Sequence, residues 1–303
     1  MKWDEKIREL SGFSGELLFS ELLSKHTYFK IGGPAKVLAI PKSESDLIAL
    51  GNFAATAGIT PFVLGLGSNL LVRDEGFDGL CIKTTKLPGT ITEEAGGIRI
   101  SSGVPVATFL RKAATEGWDG FESISGIPGT IGGVVAMNGG THLGEASDLL
   151  LEVRTIDLKN PVITRVRKKE ELSFSYRKNH FLGSTEVVLD SLWKLTRGDP
   201  TSIREKLDSL YRRRKETQPL DFPSCGSVFK NPKESGLRAW EVVERLGLRG
   251  HRIGNAQIAE KHPNWILNLG EAKSSDVIAL IDLVKSRAKS ELGVTMSEEV
   301  RIL

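Results

Sequence analysis

Residues 125–140 read SGIPGTIGGVVAMNGG, with glycine at 126, 129, 132, 133, 139 and 140. A run this poor in side chains forms a core badly by itself, and no long regular element is expected to survive it. It makes sense where backbone lies close to a flat ligand or its phosphates, because a Cβ would intrude there. Glycine loops packed on one another are the other reading of the same residues. A second glycine turn, GLGSNLL (65–71), lies upstream. It begins like G-x-G-x-x-G, but Leu70 stands in place of the third glycine and the following LLVRD is strand-like. A dinucleotide fingerprint needs strand, turn, helix, so that reading fails. What remains is a tight turn with Ser68 and Asn69 at its tip. It is either an anion cradle of backbone N–H groups or a hairpin turn.

Around these turns the chain alternates short elements. About the first 25 residues read as a helix or helical pair. KVLAIP (36–41) is a strand ended by Pro41. Ser43 caps a helix over 44–58, with Asp46 near its positive end and Gly58 at its exit. Two apolar runs flank the glycine turn within 60–74, and GLCIKTT (79–85) is another strand. GIRISSG (97–103) alternates as a strand, and 105–118 reads as a helix with proline in its first turn. Strands follow at 152–158, 162–166 and 187–196. The segment 198–219 is a helix with Leu207, Leu210 and Tyr211 on its apolar side, stopped by Pro219. Helices at 237–247 and 274–293, a short strand at 264–270 and a β-like tail at 294–303 complete the chain. The class is α+β with mixed sheets, divided near 1–89, 90–198 and 199–303.

Composition bounds the function. The 303 residues carry a net charge of +3, 40% hydrophobic and 26% charged residues. That mild positive excess does not predict a nucleic-acid partner, which needs a concentrated basic face. The N-terminal stretch carries Asp4, Glu5 and Glu9 among its apolar residues, unlike a signal peptide. No run approaches the roughly 18 apolar residues of a membrane span. Cys81 and Cys225 lie far apart, as in a reduced cytoplasmic protein with free thiols. No Cys/His cluster has metal-ligand spacing.

Four further stretches carry chemistry. FSYRKNHF (174–181) sets Tyr176 and Arg177 between aromatics, either as a surface arginine or as one held to bind a carboxylate. PSCGSVFKNP (223–232) gathers Cys225, Ser227, Lys230 and Asn231 in a proline-bounded loop. In MSEEVRIL (296–303), strand alternation puts Glu298, Val300 and Ile302 on one face and Glu299 with Arg301 on the other. RRRK (212–215), which includes Arg214, is either a solvated helix face or a diphosphate contact.

Taken in order, IGGPA, LGLGSNLLVRD, SGIPGTIGGVVAMNGG, FSYRKNHF, PSCGSVFKNP and EEVR resemble the UDP-N-acetylenolpyruvoylglucosamine reductase family, in its short form (type II), over nearly the whole chain. The resemblance implies a vanillyl-alcohol-oxidase/PCMH-type FAD-binding fold of two subdomains, about 28–197, and a C-terminal α+β substrate domain. It implies FAD, non-covalently bound, NADPH as hydride donor and a UDP-sugar substrate. Gly65, Leu66, Gly67, Ser68, Asn69 and Leu70 would cradle the FAD diphosphate, with Gly126, Gly129, Thr130, Gly132, Gly133 and Asn138 along the cofactor. Arg177 and Glu299 match positions that stabilise developing charge, and Ser227 the position of the proton donor. Asn231 and Arg301 match substrate contacts; Tyr176, Lys230 and Arg214 are further substrate candidates, and Cys225 matches no catalytic position. The expected state is a cytoplasmic monomer without membrane or nucleic-acid partners. A different flavin oxidase of the same fold would explain the glycines but not the serine loop or EEVR.

Overall fold

The computed structural model describes residues 2–159, 162–194 and 196–303, so Leu195, within the strand expected at 187–196, lies outside the described residues. Seven α-helices occur among them: α1 (Trp3–Lys6), α2 (Glu44–Ala57), α3 (Val106–Glu116), α4 (Ile131–Met137), α5 (Pro200–Thr217), α6 (Ala239–Arg245) and α7 (Ser274–Leu292). The chain forms two compact units. Unit 1 is Met1–Ser20, Lys36–Leu66 and Gly79–Arg212; unit 2 is Glu21–Ala35, Gly67–Asp78 and Arg213–Leu303.

Unit 1 is built on an antiparallel five-stranded sheet. Its order is Ile163–Lys168, Leu150–Asp157, Glu186–Lys194, Gly97–Ser101 and Ile91–Glu94. Apolar residues of these strands meet α3 and α4, so that Ile98, Ile100, Phe109, Val134, Val135 and Trp193 form one core. A second core packs Leu47, Leu50 and Ala54 of α2 against Val37, Ala39, Leu80 and Ile82. Here Phe62–Leu64 runs parallel to Cys81–Lys83. α2 begins as its sequence dictates. The Ser43 hydroxyl accepts from the Asp46 N–H at 3.1 Å, and Gly58 closes the helix with φ +67°.

Unit 2 packs α6 and α7 on a three-stranded sheet, Arg252–Ile253, Ala256–Ile258 and Ile266–Asn268. Val242, Val243, Val277, Leu280, Ile281 and Val284 share its core with Phe29, Ile31 and Leu71. The Asp74 carboxylate accepts from the Ser274 N–H at 2.7 Å and the Ser275 N–H at 3.2 Å, satisfying donors at the start of α7.

Three expectations change. The N-terminal helical reading holds only for α1 and a 3-10 turn at Ile7–Glu9, and Glu16–Leu22 is a strand. Gly12 and Gly15 interrupt the helical run, and an interrupted apolar pattern this short fits either element. The glycine turn at 65–69 is not a hairpin, because Leu70–Leu71 pairs in parallel with Arg301–Ile302 rather than with Phe62–Leu64. The run at 125–140 holds no long element, as expected, but it does hold one short helix, α4. Tyr211 is 59% exposed and does not face the core, whereas Leu207 packs against the unit 1 core and Ile203 is buried.

Asp46 supplies a test of one of these joints. It is almost completely buried, and its carboxylate accepts from the Ser14 and Lys42 N–H groups, both at 2.7 Å, and from the Ser14 hydroxyl. Burial by itself would raise its pKa, but these donors outweigh burial and hold it below the ordinary value. A depressed native pKa gives stability that is full above the unfolded value and lost as the pH falls through the native one. Asp46→Asn is expected to cost about 1–3 kcal/mol near neutrality. The deficit should shrink on acidification, as read from urea denaturation at a series of pH values.

Candidate active site

Unit 2 brings three of the sequence motifs together. The Asn69 amide donates to the Glu299 carbonyl at 3.0 Å, and the Arg301 N–H donates to the Asn69 carbonyl at 3.1 Å. Leu303 N–H donates to Leu71 at 2.9 Å, and Arg73 N–H to the Leu303 carbonyl at 2.8 Å. The serine loop joins the same tail, since the Glu299 N–H donates to Val228 at 2.8 Å and the Lys230 N–H to Ser297 at 2.9 Å. The turn, the serine loop and the EEVR tail therefore form one hydrogen-bonded cluster.

The tail does not keep strand alternation. Glu299 and Val300 form a bend, because both of their N–H groups turn to the one Val228 carbonyl. Val300 is consequently 5% exposed and Ile302 38% exposed, so they do not share a face. The two glutamates part company as well. The Glu298 carboxylate pairs with Lys285 Nζ at 2.7 Å. Burial opposes charge there, but Lys285 and backbone donors outweigh it and lower the Glu298 pKa. Glu298 is thus committed to α7, and Glu299 is the candidate for chemistry.

Ser227 is half-buried and its backbone bridges antiparallel to Trp265. Just beyond it, Val228 N–H donates to the Asn264 carbonyl at 2.8 Å. The Asn264 side chain takes the Phe229 N–H at 3.0 Å and gives its amide to the Phe229 carbonyl at 2.9 Å. Sequence reading missed Asn264, which stands in an unremarkable KHPNWILN. Cys225 is buried, and burial, reinforced by the nearby Glu299 charge, pushes its thiol up to about 12. A buried thiol raised this far carries little thiolate at neutral pH. The Asn231 side-chain oxygen, Oδ1, accepts from the Ala239 N–H at 2.9 Å, at the start of α6. Within the RRRK run Arg214 is half-buried while Arg212, Arg213 and Lys215 are exposed. Gly67, Ser68 and Leu70 also belong to this unit.

Unit 1 holds Gly65, Leu66, the glycine run and the FSYRKNHF hairpin. α4 forms despite Gly132 and Gly133 because distant backbone receives its first N–H groups. Ile131 donates to Val104, Gly132 to Ser102, and Gly133 to the Thr130 hydroxyl. A Cβ at Gly65 would stand 2.6 Å from Thr130 Oγ1, and one at Gly132 would stand 2.7 Å from Ser102 Cβ. Protein packing by itself already requires glycine at these two positions. Asn138 ends α4 in the left-handed region (φ +45°) and is fully buried. Its amide donates to Glu145 at 2.7 Å and to the Ser175 carbonyl at 3.1 Å, and its oxygen accepts from Ser147. The Asn138 side chain is thereby committed within the protein.

Phe174–Ser175 pairs with Lys178–Asn179, leaving Tyr176 and Arg177 at the turn. Phe174 and Phe181 pack edge to face at 5.1 Å. Arg177 has φ +54°, a strained setting for a non-glycine residue. Its side chain is 13% exposed and donates to Glu145 at 2.9 Å and to the Gly140 carbonyl at 2.7 Å, with the Tyr176 ring 5.0 Å away. Glu145, which orients both Asn138 and Arg177, was not visible as a site residue in the sequence.

The packing reading of the glycines can be checked directly. Gly132→Ala is expected to lower the melting temperature, corresponding to about 1–3 kcal/mol of overpacking. Gly133→Ala, whose Cβ would approach only to 3.4 Å, should be neutral or stabilising by up to about 1 kcal/mol, because alanine favours the helix.

Comparison with known proteins places this arrangement. Residues 218–303 match the C-terminal domain of UDP-N-acetylenolpyruvoylglucosamine reductase, and residues 35–166 match an FAD binding domain. The chain is 38% identical over 301 residues to the UDP-N-acetylenolpyruvoylglucosamine reductase of Caldanaerobacter subterraneus subsp. tengcongensis, covering 99% of this chain and 97% of that protein. It is 38% identical to the same-named protein of Synechococcus sp., covering 96% and 94% respectively. The crystal structure of UDP-N-acetylenolpyruvylglucosamine reductase from Thermus caldophilus superposes with a TM-score of 0.78 at 33% identity, covering 96% of this chain and 99% of that one. The chain belongs to the UDP-N-acetylenolpyruvoylglucosamine reductase family.

Proposed function

We propose that this protein reduces the enolpyruvyl double bond of UDP-N-acetylglucosamine-enolpyruvate to UDP-N-acetylmuramate, a peptidoglycan precursor, with FAD as cofactor and NADPH as hydride donor. The observation that carries the reading is the cluster in unit 2, where the glycine turn, the serine loop and the EEVR tail are hydrogen-bonded together in a chain of this family. The residues fit a flat cofactor. The Ser102 hydroxyl is buried beside Gly132 with no hydrogen-bond partner among the described residues, and the stretch around it offers backbone rather than side chains. An orphaned buried hydroxyl is costly unless a ligand or water completes it.

FAD, when bound, carries a hydride from NADPH to the terminal vinyl carbon of the substrate. Charge then develops on the carbon bearing the ether oxygen and spreads into the carboxylate. Arg177 receives that carboxylate, its guanidinium already desolvated and oriented by Glu145 and the Gly140 carbonyl. Glu299 assists while holding or sharing a proton, because a bare carboxylate opposes a dianion. Ser227 supplies the second hydrogen: its O–H bond breaks, a C–H bond forms at the carbon bearing the ether oxygen, and the alkoxide regains a proton from water. Lys230 stabilises that alkoxide. Tyr176, Asn231 and Arg301 bind the sugar nucleotide, and Arg214 its diphosphate. Gly65 to Leu70 hold the FAD diphosphate. Gly126, Gly129, Thr130, Gly132, Gly133 and the Asn138 backbone line the cofactor. The protein works as a cytoplasmic monomer.

The purified protein is expected to be yellow and to release flavin on denaturation. In Ser227→Ala, NADPH should still bleach the flavin, while reduction of the enolpyruvyl sugar nucleotide falls by about 10²–10⁴-fold. Full sugar reduction by that variant would refute the proton-donor role.

A further inference from the structure

Residues 227–230 lie between two flanking segments, and the two sides are held differently. On one side the partners are main-chain groups, with the Glu299 N–H on Val228 and the Lys230 N–H on Ser297. On the other, backbone pairing reaches only as far as Ser227 with Trp265 and Val228 with Asn264. At Phe229 no main-chain partner continues the ladder on that side. The Asn264 side chain takes its place, accepting from the Phe229 N–H at 3.0 Å and donating to the Phe229 carbonyl at 2.9 Å. A primary amide offers the same donor and acceptor as a peptide group, so one side chain completes both bonds of a strand partner. Asn264 is 5% exposed, and its side-chain oxygen and nitrogen are both spent on the backbone of Phe229, so its contribution is polar and directional.

We propose that Asn264 is the positioning residue for Ser227: clamping both backbone groups of Phe229 fixes the rotation of the 227–229 backbone and so aims the Ser227 hydroxyl. The proposal rests on the proton-donor reading of Ser227 above. A clamp of this kind acts on the step that Ser227 serves and leaves flavin reduction by NADPH untouched. Misplacement by about 1 Å costs on the order of 10²-fold in rate.

The test uses flavin-loaded protein and rapid mixing. The two half-reactions are followed by flavin absorbance: bleaching by NADPH, then recolouring by the enolpyruvyl sugar nucleotide, in H₂O and in D₂O. Asn264→Ala is expected to bleach at a rate within about twofold of the parent and to recolour roughly 10–10²-fold more slowly. Its solvent isotope effect on recolouring should rise towards that of Ser227→Ala, because proton delivery becomes limiting. Asn264→Asp keeps the acceptor for the Phe229 N–H but loses the donor to its carbonyl. It should be slowed in the same half-reaction, and it decides the matter if the alanine variant fails to fold or to hold flavin. Parent-like recolouring and isotope effect in a folded Asn264 variant, with Ser227→Ala slow, overturns the positioning role alone. Equal slowing of both half-reactions also overturns it, since that marks general damage. Parent-like recolouring by Ser227→Ala overturns the proton-donor reading and this inference with it.

Discussion

The C-terminal tail of unit 2 must find a turn made far earlier in the chain. The Asn69 amide and the Glu299 carbonyl are 230 residues apart in sequence, yet they are hydrogen-bonded, and Leu70–Leu71 beside them pairs in parallel with Arg301–Ile302. Closing so long a loop costs entropy, though the cost grows only slowly with length. Burial offsets it. Leu71 is completely buried and Val300 nearly so, both within the core formed by α6 and α7. The serine loop takes its position from the same tail, through the bonds at Val228 and Lys230. The placement of Ser227 and Glu299 in unit 2 thus follows from one parallel pairing of two residues on each side.

Unit 1 solves a different problem. Its five-stranded sheet carries arginines that bridge strands: Arg99 meets Glu94, Glu152 and Asp190, Arg154 meets Asp190 and Glu44, and Arg165 and Arg167 both meet Glu186. The Arg99 and Arg154 pairs occupy the face opposite the apolar residues Ile98, Ile100, Val153 and Trp193, whereas Arg167 lies directly across from Val153 and shares its face. The other side of that core is closed by α4. The glycine run can be helical because its costs are met from elsewhere: by the Ser102 and Val104 carbonyls, by the Thr130 cap and by close approach at Gly132.

These details mark what the sequence discloses and what it hides. The cap at Ser43, the stop at Gly58, the amphipathic α7 and four strands of the five-stranded sheet are local signals and are present, while the edge strand Ile91–Glu94 was not expected. α4 was hidden because its support comes from residues about 30 positions away, while local propensity there opposes a helix. The bend at Glu299 was hidden because two N–H groups compete for one distant carbonyl, which no alternation rule anticipates. The motifs identified the candidate site residues. The residues that hold them, Glu145 under Arg177 and Asn264 under the serine loop, carry no motif. A lone carboxylate or amide acquires such a role only through what the fold sets beside it.

The chain passes between the two units five times, at 20/21, 35/36, 66/67, 78/79 and 212/213. Unit 2 is consequently not the C-terminal segment alone. Phe29, Ile31 and Leu71 sit in its core, and Asp74 holds the start of α7. A fragment cut at residue 213 would expose the apolar surface those residues cover and leave donors of α7 unpaired. The segment that is recognisable as a domain by sequence, 218–303, is for this reason not a unit of folding. During synthesis the early segments are made some two hundred residues before the partners they pack against.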